Sequence, residues 1–321
     1  MSKILVTGSA GFIGARTCAM LLAKGYDVMG IDNVNDYYDI SLKKYRIQLL
    51  TQQPRFEFCE CDIEDVEKLE EIFRTQKFDA VINLAARAGV RYSLENPTIY
   101  YTTNALGTLN VLECMRKTGV KKLIIASTSS LYSGQPMPFT EERSTSKPIS
   151  PYAASKKAAE TLVYSYHYQF GFDVTILRYF TVYGPASRPD MLVWSVVEGV
   201  LHNKPITIYG KGDQARDFTY IDDIARGTIA ALGIKGFEII NLGGGNTPTS
   251  ILELIHKIEE LTGASATLQF KPGHSADMDV TWANIDKAQL LLNWKPEVTL
   301  TDGLQETIRW HEEKWKPTSN Q

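Results

Sequence analysis

Tyr152 and Lys156 stand four residues apart in SPYAASKKA, a spacing that puts both on one face of a helix. A phenol is a poor base at neutral pH because its reference pKa is about 10. An ammonium one turn away favours the phenolate and is expected to draw that value down. Such a pair suits removal of a proton from a sugar or alcohol hydroxyl while hydride leaves the same carbon. Upstream, the apolar run KKLII ends in ASTSSLY, where Ser127, Thr128, Ser129 and Ser130 are consecutive hydroxyls. Each would cost free energy in a dry core, so they are expected to face a cavity or a polar group. Thr128 would hydrogen-bond the same substrate oxygen as Tyr152 and steady its proton. Taken alone, Y-x-x-x-K is more often a surface helix pair, and serines at a strand end are commonly turn or capping residues.

A second signal lies at the start of the chain. GSAGFIG spaces Gly8, Gly11 and Gly14 as G-x-x-G-x-x-G between a strand and a helix. Such a turn exposes backbone N–H groups to a pyrophosphate and packs its third glycine against the strand. Asp32 ends the next strand, where a carboxylate accepts from both adenosine ribose hydroxyls and repels a 2′-phosphate. No arginine adjoins it in sequence, so NAD is expected rather than NADP. Asp62, after the third strand, is placed to meet the adenine amino group. The plainer reading of the glycines is an ordinary strand–helix turn.

These residues need a scaffold, and the chain reads as one. Apolar runs KILVTG, DVMGID, RFEFCECD, AVINLAA, KKLIIAST and DVTILRY alternate with helical patterns at 12–24, 64–75, 95–118 and 151–171. That alternation predicts an α/β fold, a doubly wound parallel sheet of Rossmann type covered on both faces. Residues 1–180 would form the NAD-binding domain carrying Tyr152 and Lys156. Residues 181–321, with short strands PITIYG and FEIINLGG and helices at 249–262 and 301–315, would form mainly a smaller α/β substrate lobe, with the chain crossing between lobes. The 321 residues carry a net charge of −3, which gives no support for attraction to nucleic acid or anionic membrane. Cys18, Cys59, Cys61 and Cys114 read as reduced thiols rather than a metal site, with Cys59 and Cys61 on one strand face. With no leader and no membrane-length apolar run, a soluble cytoplasmic protein is expected. KPTSNQ at the end reads as a frayed tail.

GSAGFIG, Asp32, AARAGVR (85–91), STSSLY, Tyr152 with Lys156, and RYFTVYGP (178–185) resemble, in order, the motifs of the extended short-chain dehydrogenase/reductase family, specifically its nucleotide-sugar enzymes. The resemblance implies tightly held NAD and a C-terminal lobe that clamps a nucleotide diphosphate sugar. It also implies a homodimer through helices 95–118 and 151–171. It places Phe12, Ile13, Asn33, Lys43, Ile63, Leu84, Ala85, Ala86, Ser127 and Tyr179 around the cofactor, with the glycines, Asp32, Asp62, Tyr152 and Lys156. Arg216, in QARDFTYIDD, matches the position that pairs with the diphosphate. Arg91 would face sugar or phosphate, or only cover a helix end.

Members of that family oxidise the sugar C4 and then diverge. The 4,6-dehydratases carry Thr-Asp-Glu where this chain has Thr128-Ser129-Ser130, and UDP-glucuronate decarboxylases have Glu at the third position. Without an acid there, C4 epimerisation with hydride returned to the opposite face is the expected outcome. DNVNDYYDISLKKYR (32–46), read as a long loop, Thr181 after RYF, and GPASRPDM (184–191) with Arg188 resemble the UDP-glucuronate 4-epimerases. Thr128, Ser129, Ser130 and Thr181 would then cradle the C6 carboxylate, with Arg188 countering its charge. By holding that group off the perpendicular to the C4 ketone, the cradle would also suppress loss of carbon dioxide. A UDP-hexose 4-epimerase, a UDP-glucuronate decarboxylase and a non-enzymatic NAD-binding regulator are the alternatives. KPGHSADMDVTWANI (271–285) is longer than the family pattern, so its nucleotide contacts are not carried over, and His274 within it is expected to be exposed.

Overall fold

A computed structural model describes residues 2–273 and 277–315. His274 and the tail KPTSNQ lie outside them. Strands β1 (Lys3–Thr7), β2 (Asp27–Asp32), β3 (Phe56–Glu60), β4 (Ala80–Asn83), β5 (Lys122–Thr128) and β6 (Asp173–Tyr179) join a seventh, Phe237–Leu242, in one sheet. The order is β3-β2-β1-β4-β5-β6 and then Phe237–Leu242, with every pairing parallel. The order in which strands are added reverses between β1 and β4, which opens a crevice at the carboxyl ends of those strands.

Along β1, Ile4 and Val6 enter one core while Leu5 enters the other, as a period of two requires of a sheet covered on both faces. Helices α1 (Phe12–Ala23), α2 (Ile40–Thr51) and α3 (Val66–Thr75) follow the first three strands. Two elements differ from the sequence expectation. FEIINL belongs to the main sheet, paired with β6, rather than to a separate lobe, because Ile240 and Leu242 bury fully against it. PITIYG does leave the sheet, pairing Ile206–Tyr209 with Leu268–Lys271. Residues 32–46 are not one loop: Asp39 caps the Ser41 N–H at 2.9 Å and a helix runs from Ile40. Its inward face includes Lys43 and Arg46 beside Leu42 and Leu50, so its apolar periodicity is masked.

The helix carrying the tyrosine spans Pro151–Phe170. The Ser150 hydroxyl accepts from the Ala153 N–H at 3.2 Å, proline occupies the first turn, and Gly171 closes the end with φ 64°. Residues 95–118 are helical from Thr98, with a π-helical segment at Thr102–Gly107 before Thr108–Thr118. Strand β3 stops at Glu60, so Cys61 lies beyond it, buried, while Cys59 is half-buried. Among the described residues, no helix is long and apolar enough to cross a membrane.

Candidate active site

A cleft of about 400 Å³ opens along the carboxyl ends of the strands. Its walls gather all the cofactor and substrate candidates except Arg91 and Arg216. At one end is the glycine turn. Gly8 has φ +69°, and a Cβ there would lie 2.7 Å from the Ala85 N. A Cβ on Gly14 would lie 2.0 Å from the Gly8 oxygen, so strand, turn and helix meet backbone to backbone. Asp32 is buried, its carboxylate accepting from the Ala10 N–H at 3.2 Å and the Val34 N–H at 2.8 Å. Asp62 accepts from the Asn33 amide at 2.6 Å, which ties the ends of β2 and β3 together. A turn that no side chain could enter, beside two acids at the ends of successive strands, fits a dinucleotide. The fold also brings a cation that proximity in sequence to Asp32 does not show. Lys43 Nζ stands 3.4 Å from Asp32, and burial lowers its pKa despite that pairing.

At the other end are Tyr152, Lys156 and the hydroxyls. Burial raises the Tyr152 pKa above the ordinary phenol value; a hydrogen bond with Thr128 and the charge of Arg188 pull the other way. The expected lowering by Lys156 is therefore not what the folded cleft produces, because desolvation of the enclosed phenolate dominates. Burial pushes Lys156 down to about 8, with Glu160 one turn further opposing it. Thr128 donates to Ser130 at 3.1 Å and accepts from the Ser130 N–H at 3.1 Å, starting the short turn Ser129–Tyr132. Ser127 lines the cleft as well, and its hydroxyl donates to Glu160 at 2.7 Å. Glu160 in turn takes a bidentate pair from the buried Arg178 at 2.9 and 2.8 Å. That ion pair beneath the cleft was not read from the sequence, although KKAAE and LRY hold both partners.

Arg188 is on the cleft wall, but its guanidinium already donates to Asp190 at 2.9 and 2.6 Å and lies 5.6 Å from the Tyr37 ring centre. Tyr37, itself lining the cleft, donates to the Ala88 carbonyl at 3.1 Å. Neither Asp190 nor Tyr37 was singled out from the sequence; the YY pair in 32–46 was the available signal. Arg216 lines a smaller adjoining cavity of about 130 Å³ with Ser129, Ser130 and Thr181. Its Nη1 donates to the Ala215 and Asp279 carbonyls, and burial lowers its pKa. Arg91 lines neither cavity. It pairs with Asp277 at 2.5 Å and stacks 3.7 Å over Tyr209, so it braces the 277 segment.

The chain belongs to the NAD dependent epimerase/dehydratase family, whose model matches residues 4–243. It is 53% identical over 313 residues to a UDP-glucuronate 4-epimerase of Thermodesulfobacterium geofontis, covering 98% of this chain and 97% of that protein. Among solved structures it is similar to the UDP-glucuronic acid 4-epimerase of Bacillus cereus in complex with UDP-glucuronic acid and NAD. That match has a TM-score of 0.92 and 41% identity, over 98% of this chain and all of the other. It is similar also to a UDP-glucose 4-epimerase of Thermotoga maritima, with a TM-score of 0.88 and 32% identity, over 97% and 99%.

Proposed function

We propose that this protein epimerises UDP-glucuronate to UDP-galacturonate at C4, with NAD as a resident cofactor. The observation that carries the reading is the cleft wall itself. Neutral hydroxyls of Thr128, Ser129 and Ser130, with Thr181 and Arg188, share one cleft with Tyr152, and position 130 holds no acid. Identity of 53% to a UDP-glucuronate 4-epimerase, against 32% to a UDP-glucose 4-epimerase, supports the acidic sugar over the neutral one.

The glycine turn and Asp32 would hold the dinucleotide at pyrophosphate and ribose, and Asp62 would take the adenine. NAD, when bound, supplies a hydride acceptor and donor next to the sugar C4. Tyr152 takes the proton of the C4 hydroxyl, and Thr128 holds the oxygen it leaves. Lys156 would supply a cation that offsets part of the desolvation of the phenolate as it forms. The 4-keto sugar then turns to present its other face to the cofactor for return of hydride there, and Tyr152 gives the proton back to the C4 oxygen. The hydroxyl cradle holds the C6 carboxylate through the turn and keeps its C–C bond off the perpendicular to the ketone, which guards against loss of carbon dioxide. Arg216 pairs with the diphosphate.

Residues 1–180 would form mainly the cofactor domain and 181–321 mainly the sugar lobe, with the chain returning to the main sheet at Phe237–Leu242. The protein acts as a homodimer through helices 98–118 and 151–170. Leu106, Tyr164 and Tyr168 stand exposed on those helices, and burying them would contribute to association. Its four free cysteines, three of them buried, suit a reducing cytoplasm.

The test is proton NMR of purified protein given UDP-glucuronate or UDP-glucose with no added NAD. New UDP-galacturonate signals with little change in UDP-glucose support the reading. Turnover of UDP-glucose alone, or a UDP-pentose product, overturns it.

A further inference from the structure

Arg46 is buried in α2, 4% exposed, and its guanidinium makes five hydrogen bonds to neutral groups only. Nη1 donates to the Ala10 carbonyl at 2.9 Å and the Tyr38 hydroxyl at 2.7 Å. Nη2 donates to the carbonyls of Ala186 at 2.7 Å and Ser187 at 3.2 Å, and Nε reaches Ala186 at 3.3 Å. Arg46 does not line the active cleft. Its partners do belong to the cleft's parts. Ala10 lies in the glycine turn, where Asp32 takes its N–H. Tyr38 lines the cleft. Ala186 and Ser187 immediately precede Arg188. Ala186 has φ +54°, a region that a residue with a Cβ occupies only when its surroundings over-determine it.

We propose that Arg46 is a positioning residue for recognition of the C6 carboxylate: its planar fork holds the Ala186–Ser187 backbone in the conformation that aims Arg188 into the cleft, and ties that backbone to the cofactor turn. A guanidinium suits this because its donors are fixed in one plane and serve several carbonyls at once. A lysine keeps the charge and loses the fork. The proposal rests on the assignment of UDP-glucuronate as substrate and on Arg188 as its counter-charge.

The test compares Arg46→Lys, Arg188→Met and the double variant as purified holoenzymes. Arg46→Lys is expected to raise KM for UDP-glucuronate about tenfold with kcat held within about twofold. Binding to UDP-glucose, titrated in a Tyr152→Phe background, changes less than about threefold, and bound NAD per chain is retained. In the Arg188→Met background the Arg46 change adds less than about twofold, because the two act through one contact. Equal losses for both sugars, or effects that multiply in the double variant, overturn the proposal and leave Arg46 a fold-supporting residue. If wild-type protein does not turn over UDP-glucuronate, or Arg188→Met leaves its binding unchanged, the substrate assignment fails instead. Where Arg46→Lys does not fold, Tyr38→Phe removes a single limb and is expected to shift KM for UDP-glucuronate the same way by about threefold. No shift in that variant overturns the proposal.

Discussion

Arg188 can favour a carboxylate over a hydroxymethyl group only with the charge that Asp190 leaves unspent. Two of its nitrogens, Nε and Nη2, are bonded to Asp190 at 2.9 and 2.6 Å, which leaves Nη1 as the donor for a ligand. Unit charges 4 Å apart attract by about 4 kcal/mol at an effective dielectric constant of about 20. The Asp190 carboxylate repels the same ligand from slightly further away and cancels much of that. What remains is of the order of one charge-assisted hydrogen bond, about 1.5–3 kcal/mol. Arg188→Met is therefore expected to weaken UDP-glucuronate about 10- to 100-fold and UDP-glucose less than about threefold. Asp190→Asn keeps an acceptor for Arg188 but removes the competing charge, and is expected to tighten UDP-glucuronate about fivefold, or about 1 kcal/mol. The assay is calorimetric binding of both UDP-sugars to holoenzyme carrying Tyr152→Phe, at low and high salt. If Arg188→Met weakens both sugars equally, the arginine supports the loop rather than the carboxylate. If Asp190→Asn loosens UDP-glucuronate, the ion pair is a positioning device and the charge-competition argument is wrong.

Gly14→Ala would place a methyl 2.0 Å from a backbone oxygen, so the turn must open; a cost of about 1–3 kcal/mol and more than about tenfold weaker NAD retention follow, read from cofactor released on denaturation. Arg178→Leu strands the buried Glu160 carboxylate and is expected to lower stability by about 3–5 kcal/mol in urea, with Glu160→Leu added to it recovering part of the loss. Lys156→Met tests a sign. The folded lysine titrates at about 8, below its ordinary 10.5, so the unfolded chain binds more protons between those values and stability rises with pH across that window. The variant lacks this slope: it is expected to exceed wild type by up to roughly 3 kcal/mol at pH 7, a gap that closes toward pH 10 in paired urea titrations. A gap that widens instead would mean that the folded site favours the ammonium.

What the sequence revealed and what it hid follow from the range over which each signal acts. The glycine turn, Asp32, the hydroxyl run and the Tyr152–Lys156 pair are local: each is a spacing within a few residues, and the fold sets all of them on one cleft. The pairs that were missed are either long-range or buried against expectation. Arg46 reaches across 140 residues to Ala186, and Lys43 and Arg46 face inward where a helical pattern would show apolar side chains. The strand Phe237–Leu242 reads only as a short strand beyond residue 180, because nothing within its six residues names β6, at Asp173–Tyr179 much earlier in the chain, as its partner. Arg91 shows what motif position leaves open: it allowed a contact to sugar or phosphate or a cover for a helix end, and the partners the fold gives it, Asp277 and Tyr209, lie far along the chain. The direction of the Tyr152 shift is the sharpest case. Spacing establishes that an ammonium is one turn away, but the sign depends on whether its field outweighs desolvation of the phenolate. Desolvation is set by everything packed around the ring, including Tyr100 at 6.1 Å and the cleft wall. The same burial that raises Tyr152 lowers Lys156, because for each group it is the charged form that loses its hydration.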